Sequence, residues 1–309
     1  MITLSVVIPT CGRASLLGRC LEHLAAQSLD PRRFEVIVAD DASADNTSEV
    51  CHQWITSSPW KLRYLRCDKS FAGGARNRGA ELAEGRRILF LGDDILSSTD
   101  LLEQHLAAED TWGGEAVFVG TVRYDPATAT PFMRYLEEEG VHHDFPRLRL
   151  AGAEASVPGR YFYACNASIP ATTFRALGGF DERLRRAWED TEFGVRVERH
   201  GVSIRYLKKA DALHVHPTTA RDYLAFRRSG RDDIALAVRL LAEAGGTFPA
   251  VEPHPLLDRL VTDDVVDLAA RVLSKIDHNL PKRVRARAYR RLLRYEERRA
   301  WQAAHHVAA

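Results

Sequence analysis

Four short apolar runs, three of them followed by a helical pattern, decide what the first hundred residues can become. Residues 4–8 (LSVVI) are closed by Pro9, and residues 34–39 (FEVIVA) by Asp40 and Asp41. Residues 62–65 (LRYL) are followed by a glycine-bearing turn, and residues 88–91 (ILFL) by Gly92, Asp93 and Asp94. Between them, Leu16, Leu17, Cys20, Leu21 and Leu24 recur at helical spacing, predicting a helix over 13–28. Further helices are predicted over 44–54, with Ser43 as its cap, and over 74–84. Continuous apolar strands alternating with helices make a mostly parallel sheet covered on both faces, an α/β fold. Ligands of such sheets bind beyond the carboxyl ends of the strands. Both acidic pairs stand at such ends.

The remainder is less regular. Residues 124–159 mix aromatic, charged and turn residues around a predicted helix at 131–139. A short helix at 172–177 closes on Gly178-Gly179, and a longer one runs over 189–200 to Gly201. Short strands are expected at 202–206 and 212–215. Helices follow at 219–244, 256–276 and 281–305, with Gly245-Gly246 and residues 249–255 as a linker. The chain of 309 residues carries a formal net charge of +1, so no global field points to nucleic acid. Five cysteines at no zinc or redox spacing read as free thiols of a reducing cytoplasm. The N-terminus reads as a first strand rather than a signal peptide, and no run approaches the roughly 18 apolar residues that span a bilayer. A cytoplasmic protein is expected, at most peripheral to the inner face of a membrane.

Several groups can carry chemistry. Adjacent carboxylates at Asp93-Asp94 repel one another, so full ionisation favours a cation, and Mg²⁺ takes one or two carboxylates beside phosphate oxygens; equally, the pair can cap a helix. Asp40-Asp41-Ala42-Ser43 makes a good helix start, or places a carboxylate on a base or ribose. The segment Gly73-Gly74-Ala75-Arg76-Asn77-Arg78-Gly79 lets a ligand approach the backbone, with arginines to meet phosphate. It is neither a Walker loop nor a dinucleotide fingerprint. Asp190, in Trp188-Glu189-Asp190-Thr191-Glu192, stands at a helix N-terminus, where the dipole favours the ionised form of a base; simple dipole complementarity is the alternative. In Leu213-His214-Val215-His216, strand alternation sends both histidines to one face.

Taken in order, VVIPTCGR, VIVADDAS, AGGARNRG, FLGDDI, GGFDE and WEDTEFGVRVERHG resemble glycosyltransferase family 2, over roughly residues 3–217. The resemblance implies a Rossmann-like GT-A fold with a C-terminal helical extension. The expected boundaries are a catalytic domain at 1–217, with a nucleotide-sugar half at about 1–120 and an acceptor half at about 121–217, and a helical region at 218–309. It also implies an inverting, metal-assisted transfer from a nucleotide sugar, usually a UDP-sugar, to an acceptor hydroxyl. Pro9, Thr10, Asp40 and Asp41 then line the nucleoside pocket, with Arg13, Gly74, Arg76 and Asn77 along the nucleotide. Asp94 binds Mg²⁺ or Mn²⁺, Asp93 lies between metal and ribose, and His216 adds a contact to metal or diphosphate. Glu189-Asp190 matches the family's Glu-Asp motif, with Asp190 the expected base. Many members carry Asp-x-Asp, whereas this chain has Gly92 in place of the first acid.

The rival readings are a non-catalytic nucleotide-sugar or carbohydrate binder and a sugar nucleotidyltransferase. The second lacks its glycine-rich N-terminal loop here, and the first has no need of a base. A carbohydrate, lipid-linked or small-molecule acceptor is expected. Tyr135, His142, His143, Phe145, Tyr161 and Tyr163 can stack on a sugar or pack a long loop, packing being expected for most. The arginine-rich last helix, with Val284, Leu292, Leu293, Tyr295 and Trp301, can pack on the catalytic domain or dock on anionic lipid; packing is the expectation.

Overall fold

The computed structural model describes residues 1–140, 143–152, 155–243 and 262–306. The chain runs β1 (Leu4–Thr10), α1 (Ala14–Ala25), β2 (Phe34–Asp41), α2 (Thr47–Ser57), β3 (Lys61–Cys67), α3 (Phe71–Glu81) and β4 (Arg87–Leu91). Next come β5 (Ile95–Ser97), α4 (Leu101–Trp112), β6 (Val117–Tyr124), α5 (Pro131–Glu139), α6 (Phe145–Ala151), β7 (Asn166–Pro170), α7 (Ala171–Ala176), α8 (Glu189–Arg199) and β8 (Ile204–His214). The last elements are α9 (Ala220–Ser229), α10 (Arg231–Glu243), α11 (Asp263–Ile276) and α12 (Lys282–His306).

Among the described residues these strands form one eight-stranded sheet in the order β3-β2-β1-β4-β7-β6-β8-β5. The first four pair in parallel, and β7 lies antiparallel to both β4 and β6. Every residue of β2 and β4 is buried, as a strand covered on both faces requires. The first helix packs through Leu17, Cys20, Leu21 and Leu24. Helix α3 lies so close to β1 that a Cβ at Gly79 would stand 2.5 Å from Val7 Cγ1. Gly79→Val is therefore expected to lower the unfolding free energy by about 1–3 kcal/mol through overpacking, measured by urea denaturation.

Four local expectations are corrected. The strands expected at 202–206 and 212–215 are one strand, β8, whose pairing with β6 jumps from Gly120↔Leu207 to Thr121↔Asp211. The polar Lys208-Lys209 pair interrupts the apolar pattern because it lies in this bulge. Asn166 fills the bulge, its amide donating to the carbonyls of Thr121 and Ala210 at 3.2 and 3.0 Å. The helix expected at 219–244 is two helices that break around Gly230. Helix α3 begins at Phe71 rather than residue 74, because Asp41 meets the backbone N–H groups of Ser70 and Phe71. Ser43 does not cap α2, since its hydroxyl accepts from the Gly12 N–H at 2.8 Å, and Asp45 serves Thr47 instead. The expected linker at Gly245-Gly246 and 249–255, the start of the helix at 256–276, and His142 lie outside the described residues.

A second core joins α5 to the C-terminal helices: Phe132, Tyr135 and Leu136 pack with Tyr223, Leu224, Val266, Leu273, Tyr289, Leu292, Leu293 and Tyr295. The apolar stripe of α12 is thus turned inward at Tyr289, Leu292, Leu293 and Tyr295, while Val284, at its start, is exposed. No helix among the described residues is long and apolar enough to cross a membrane. All five cysteines are free.

Candidate active site

The carboxyl ends of β1, β2 and β4 open on one side of the sheet, and the acids gather there. A tight turn joins β4 to β5, with Gly92 N–H on the Cys165 carbonyl at 3.2 Å and Ile95 N–H on the Gly92 carbonyl at 3.3 Å. Asp93 and Asp94 form its tip, and both are buried. Thr10 donates to Asp93 Oδ2 at 2.8 Å, while Arg13 Nη1 bridges Asp93 Oδ1 at 3.1 Å and Asp94 Oδ2 at 3.0 Å. Strand β8 pairs His214 opposite Ile95, which brings His214 Nε2 to 3.2 Å from Asp94 Oδ2. Burial and the neighbouring Asp94 charge raise Asp93 above the ordinary carboxylate range despite Arg13. For Asp94, burial opposes ionisation, but His214 and Arg13 outweigh it and hold the carboxyl well below that range. Burial, with Arg13, lowers His216 from its ordinary value, which favours the neutral imidazole.

The donor set fits a divalent cation of the kind that keeps most of its sphere for water and phosphate. Asp94 and Asp93 are ionisable oxygens at one tip, His216 feels the Asp94 charge, and one guanidinium already bridges both carboxylates. Among the described residues no group of three or more His, Cys, Asp and Glu side chains is placed to hold a metal ion, so Asp93, Asp94 and His216 do not make a three-ligand set. An ion here would rest on one or two carboxylates and on its ligand's own oxygens. Gly92 matters to this arrangement, because a Cβ there would stand 2.9 Å from both Asp94 Oδ1 and Ile95 Cγ1.

Asp40 and Asp41 act largely as supports. Asp40 is fully buried and accepts from Ser43 N–H at 2.8 Å, Tyr64 Oη at 2.7 Å and Arg66 Nη1 at 3.3 Å. Asp41 pairs with Lys69 and accepts from the amides that open α3. Beside them a cleft of about 600 Å³ is lined by Arg66, Lys69, Phe71, Arg78, Glu182 and Arg185. Pro9 and Thr10 end β1 next to this acidic rim. In α3, a Cβ at Gly74 would meet Ser70 Cβ at 2.7 Å, so only glycine fits the turn. Asn77 spends its amide on Phe180, exchanging backbone hydrogen bonds at 2.9 Å in both directions, and on Glu182 at 3.1 Å. Arg76 is buried and binds Glu189 Oε1 at 2.8 Å.

Asp190 is the second residue of α8, after Glu189, and accepts from the N–H of the following Thr191 at 2.7 Å. Burial, then the adjacent Glu189 charge, push it well above the ordinary carboxylate range; Arg76 and the amides of Thr191 and Ala164 act the other way. The Ala164 amide favours the ionised form of Asp190, while the next residue, Cys165, holds Gly92 in the turn that bears Asp94. Burial raises the Cys165 thiol to about 12, with Asp190 and Asp94 both adding to the rise. Acids far apart in the chain therefore converge on one short segment before β7. Among the described residues, the non-glycine residues with positive φ are Ala42 (59°), Phe71 (60°) and Trp188 (76°), one beside each of Asp41, the α3 entrance and Glu189-Asp190. Such backbone strain clusters at functional sites.

Of the aromatic residues, Tyr135 belongs to the second core, and Phe145, Tyr161 and Tyr163 are buried against one another. His143 stands edge-on to Tyr163 at 4.5 Å. Two contributors had not been singled out: Lys69, the partner of Asp41, and His214 as the direct partner of Asp94. The spacing of His214 and His216 carried a signal for the second; nothing local marked the first.

A family model, Glycosyl transferase family 2, matches residues 5–165. Validoxylamine A glucosyltransferase of Streptomyces hygroscopicus subsp. limoneus is 33% identical over 222 residues, covering 64% of this chain and 48% of that protein. Chondroitin synthase of Escherichia coli is 26% identical over 247 residues, covering 69% of this chain and 35% of that protein. The chain thus spans about half the length of the validoxylamine A glucosyltransferases it matches. Among solved structures, S. aureus TarS 1-349 in complex with UDP superposes with a TM-score of 0.59 at 18% identity, over 97% of this chain and 91% of that one. Mannosyltransferase PcManGT from Pyrobaculum calidifontis, in complex with GDP-Man and Mn²⁺, gives 0.61 at 16% identity, over 97% and 87%. At these identities the likeness is one of fold, a mixed, mostly parallel sheet followed by C-terminal helices.

Proposed function

The chain belongs to glycosyl transferase family 2, and from that premise we propose that it moves a sugar from a UDP-sugar to an acceptor hydroxyl by a single inverting displacement. The observation that carries this reading is the convergence of Asp94 and Asp190 on the segment Ala164-Cys165. One acid group suits a cation beside a diphosphate, and the other suits a base facing an alcohol. Residues 1–217 are the catalytic unit in this reading, and residues 218–309 a helical extension of it.

Expulsion of a nucleoside diphosphate leaves charge that must be met by positive groups at the rim. Arg13 stands there, already between Asp93 and Asp94. A Mg²⁺ or Mn²⁺ ion, held by Asp94 with Asp93, would supply further neutralisation of the leaving diphosphate, with His216 left available to the diphosphate itself. Pro9, Thr10, Asp40, Asp41, Gly74, Arg76 and Asn77 shape the nucleotide side, several through the contacts that fix their neighbours. On the acceptor side Asp190 takes the hydroxyl proton as the oxygen attacks. The relatives' names, a glucosyltransferase and a structure with UDP, support the nucleotide-sugar donor of this reading.

Thermal denaturation with UDP-, GDP- and dTDP-sugars, each with and without Mn²⁺, tests the donor. A ligand at 100 times its Kd stabilises the folded chain by about 2.7 kcal/mol, so a UDP-sugar with Mn²⁺ is expected to raise Tm clearly. Slow release of UDP in the same mixture separates an enzyme from a mere binder. No shift with any nucleotide sugar would remove the donor assignment.

A further inference from the structure

We infer that Asp233, in the C-terminal helical region, is a positioning residue for Asp190, which it holds in place through the loop before α8. The inference rests on the reading of Asp190 as the base. Asp233 lies in the first turn of α10 and is 8% exposed. Its Oδ2 accepts from two successive backbone amides, those of Arg186 and, at 3.2 Å, Ala187. The next residue is Trp188, in the left-handed region at φ 76°, and Glu189 and Asp190 follow directly as the first residues of α8.

The junction of α9 and α10 meets the same three loop residues from one side. A Cβ at Gly230 would stand 3.3 Å from Arg186 Cβ and 3.8 Å from Ala187 Cβ, which is close packing with no room to spare. The guanidinium of Arg227 lies 5.5 Å over the Trp188 ring. A strained residue persists only where its surroundings over-determine it, and here the helical extension supplies part of them, with Arg76 holding the adjoining Glu189. One carboxylate gathering two consecutive N–H groups fixes the direction in which the chain enters α8. The extension thereby sets the aim of Asp190. Around that group stand Glu189 on its own helix, Arg76 on α3, and Tyr163 and Cys165 before β7.

An acid in the first turn of α10 also complements the helix dipole, which by itself would be a purely local contribution to stability. Asp232 serves as the control, because it occupies the same turn, is exposed and lies one residue away. The experiment uses the full chain and compares Asp233→Ala, Asp233→Asn and Asp232→Ala for kcat, donor KM, the acid limb of the kcat–pH profile and amide exchange over residues 184–192. Misplacing a reacting group by about an ångström costs up to roughly a hundred-fold, so Asp233→Ala is expected to lower kcat roughly ten- to hundred-fold, with donor KM within about two-fold. Exchange over 184–192 quickens, and the acid limb moves to lower pH as Asp190 gains water. Asp233→Asn, which keeps an acceptor oxygen, recovers most of the loss, and Asp232→Ala behaves as the unmodified chain. Unchanged exchange in Asp233→Ala, or a kcat and acid limb matching those of Asp232→Ala, overturns the inference. Should Asp190 prove not to be the base, Asp190→Asn shows it by retained turnover, while the exchange measurement still decides whether Asp233 holds the loop.

Discussion

Asp190→Asn is expected to lower turnover by about two to four orders of magnitude, the range that a positioned general base contributes, while donor binding persists. The substitution keeps the shape, and the amide oxygen can still accept from Thr191 N–H, so α8 keeps its first turn. What is lost is the ability to take a proton. The pH profile of the unmodified enzyme follows from the same environment. Burial and Glu189 raise Asp190, so the fraction in the working, ionised form grows as pH rises through that elevated value. The acid limb of kcat should therefore fall at a higher pH than an ordinary carboxylate would give, and be absent from the residual activity of Asp190→Asn. Steady-state kinetics across pH, with donor affinity measured by calorimetry, checks both parts. Near-normal turnover, or a matching collapse of donor affinity, would take Asp190 out of the role.

The second large effect concerns the other acid group. Chelation of divalent cations is expected to cut transfer by roughly a thousand-fold, the equivalent of about 4 kcal/mol of charge stabilisation in the transition state, and Mn²⁺ or Mg²⁺ should restore it. Asp94→Ala should show the same loss without restoration. Because Asp94 is also the partner of His214 and Arg13, the melting temperature of the variant must be followed alongside. A variant that still melts cooperatively yet gains nothing from added Mn²⁺ places the defect at the rim. Activity indifferent to chelation would separate Asp94 from any cation.

How far the sequence announced these features depends on how local their causes are. β1, β2 and β4 are covered on both faces and so appear as largely apolar runs, with Ser5, Glu35 and Arg87 as buried polar exceptions. β5 has only three residues, β7 carries Asn166 and Pro170 within five, and β8 hides its continuity behind the bulged lysines. Asp93, Asp94, Glu189 and Asp190 stood out because a strand end and a helix start each leave a mark in the adjoining residues. Ser43 had the right type for a cap and was turned to Gly12 by the loop's path. Lys69 and Asp233 act on partners brought close by topology, and a backbone amide as partner leaves no pattern to read. The arginine-rich tail had two readings, and the inward stripe of Tyr289, Leu292, Leu293 and Tyr295 agrees with the packing one.

Gly92 bears on how such a rim can change over time. A third acid at that position looks like one substitution away, yet its first side-chain carbon would press on Asp94 Oδ1 and on the buried Ile95. Asp94 cannot simply swing aside, since His214 and Arg13 grip it. Two-acid and three-acid rims are thus separate mechanical solutions, and passage from one to the other requires the β4–β5 turn to be rebuilt together with its partner His214 on β8.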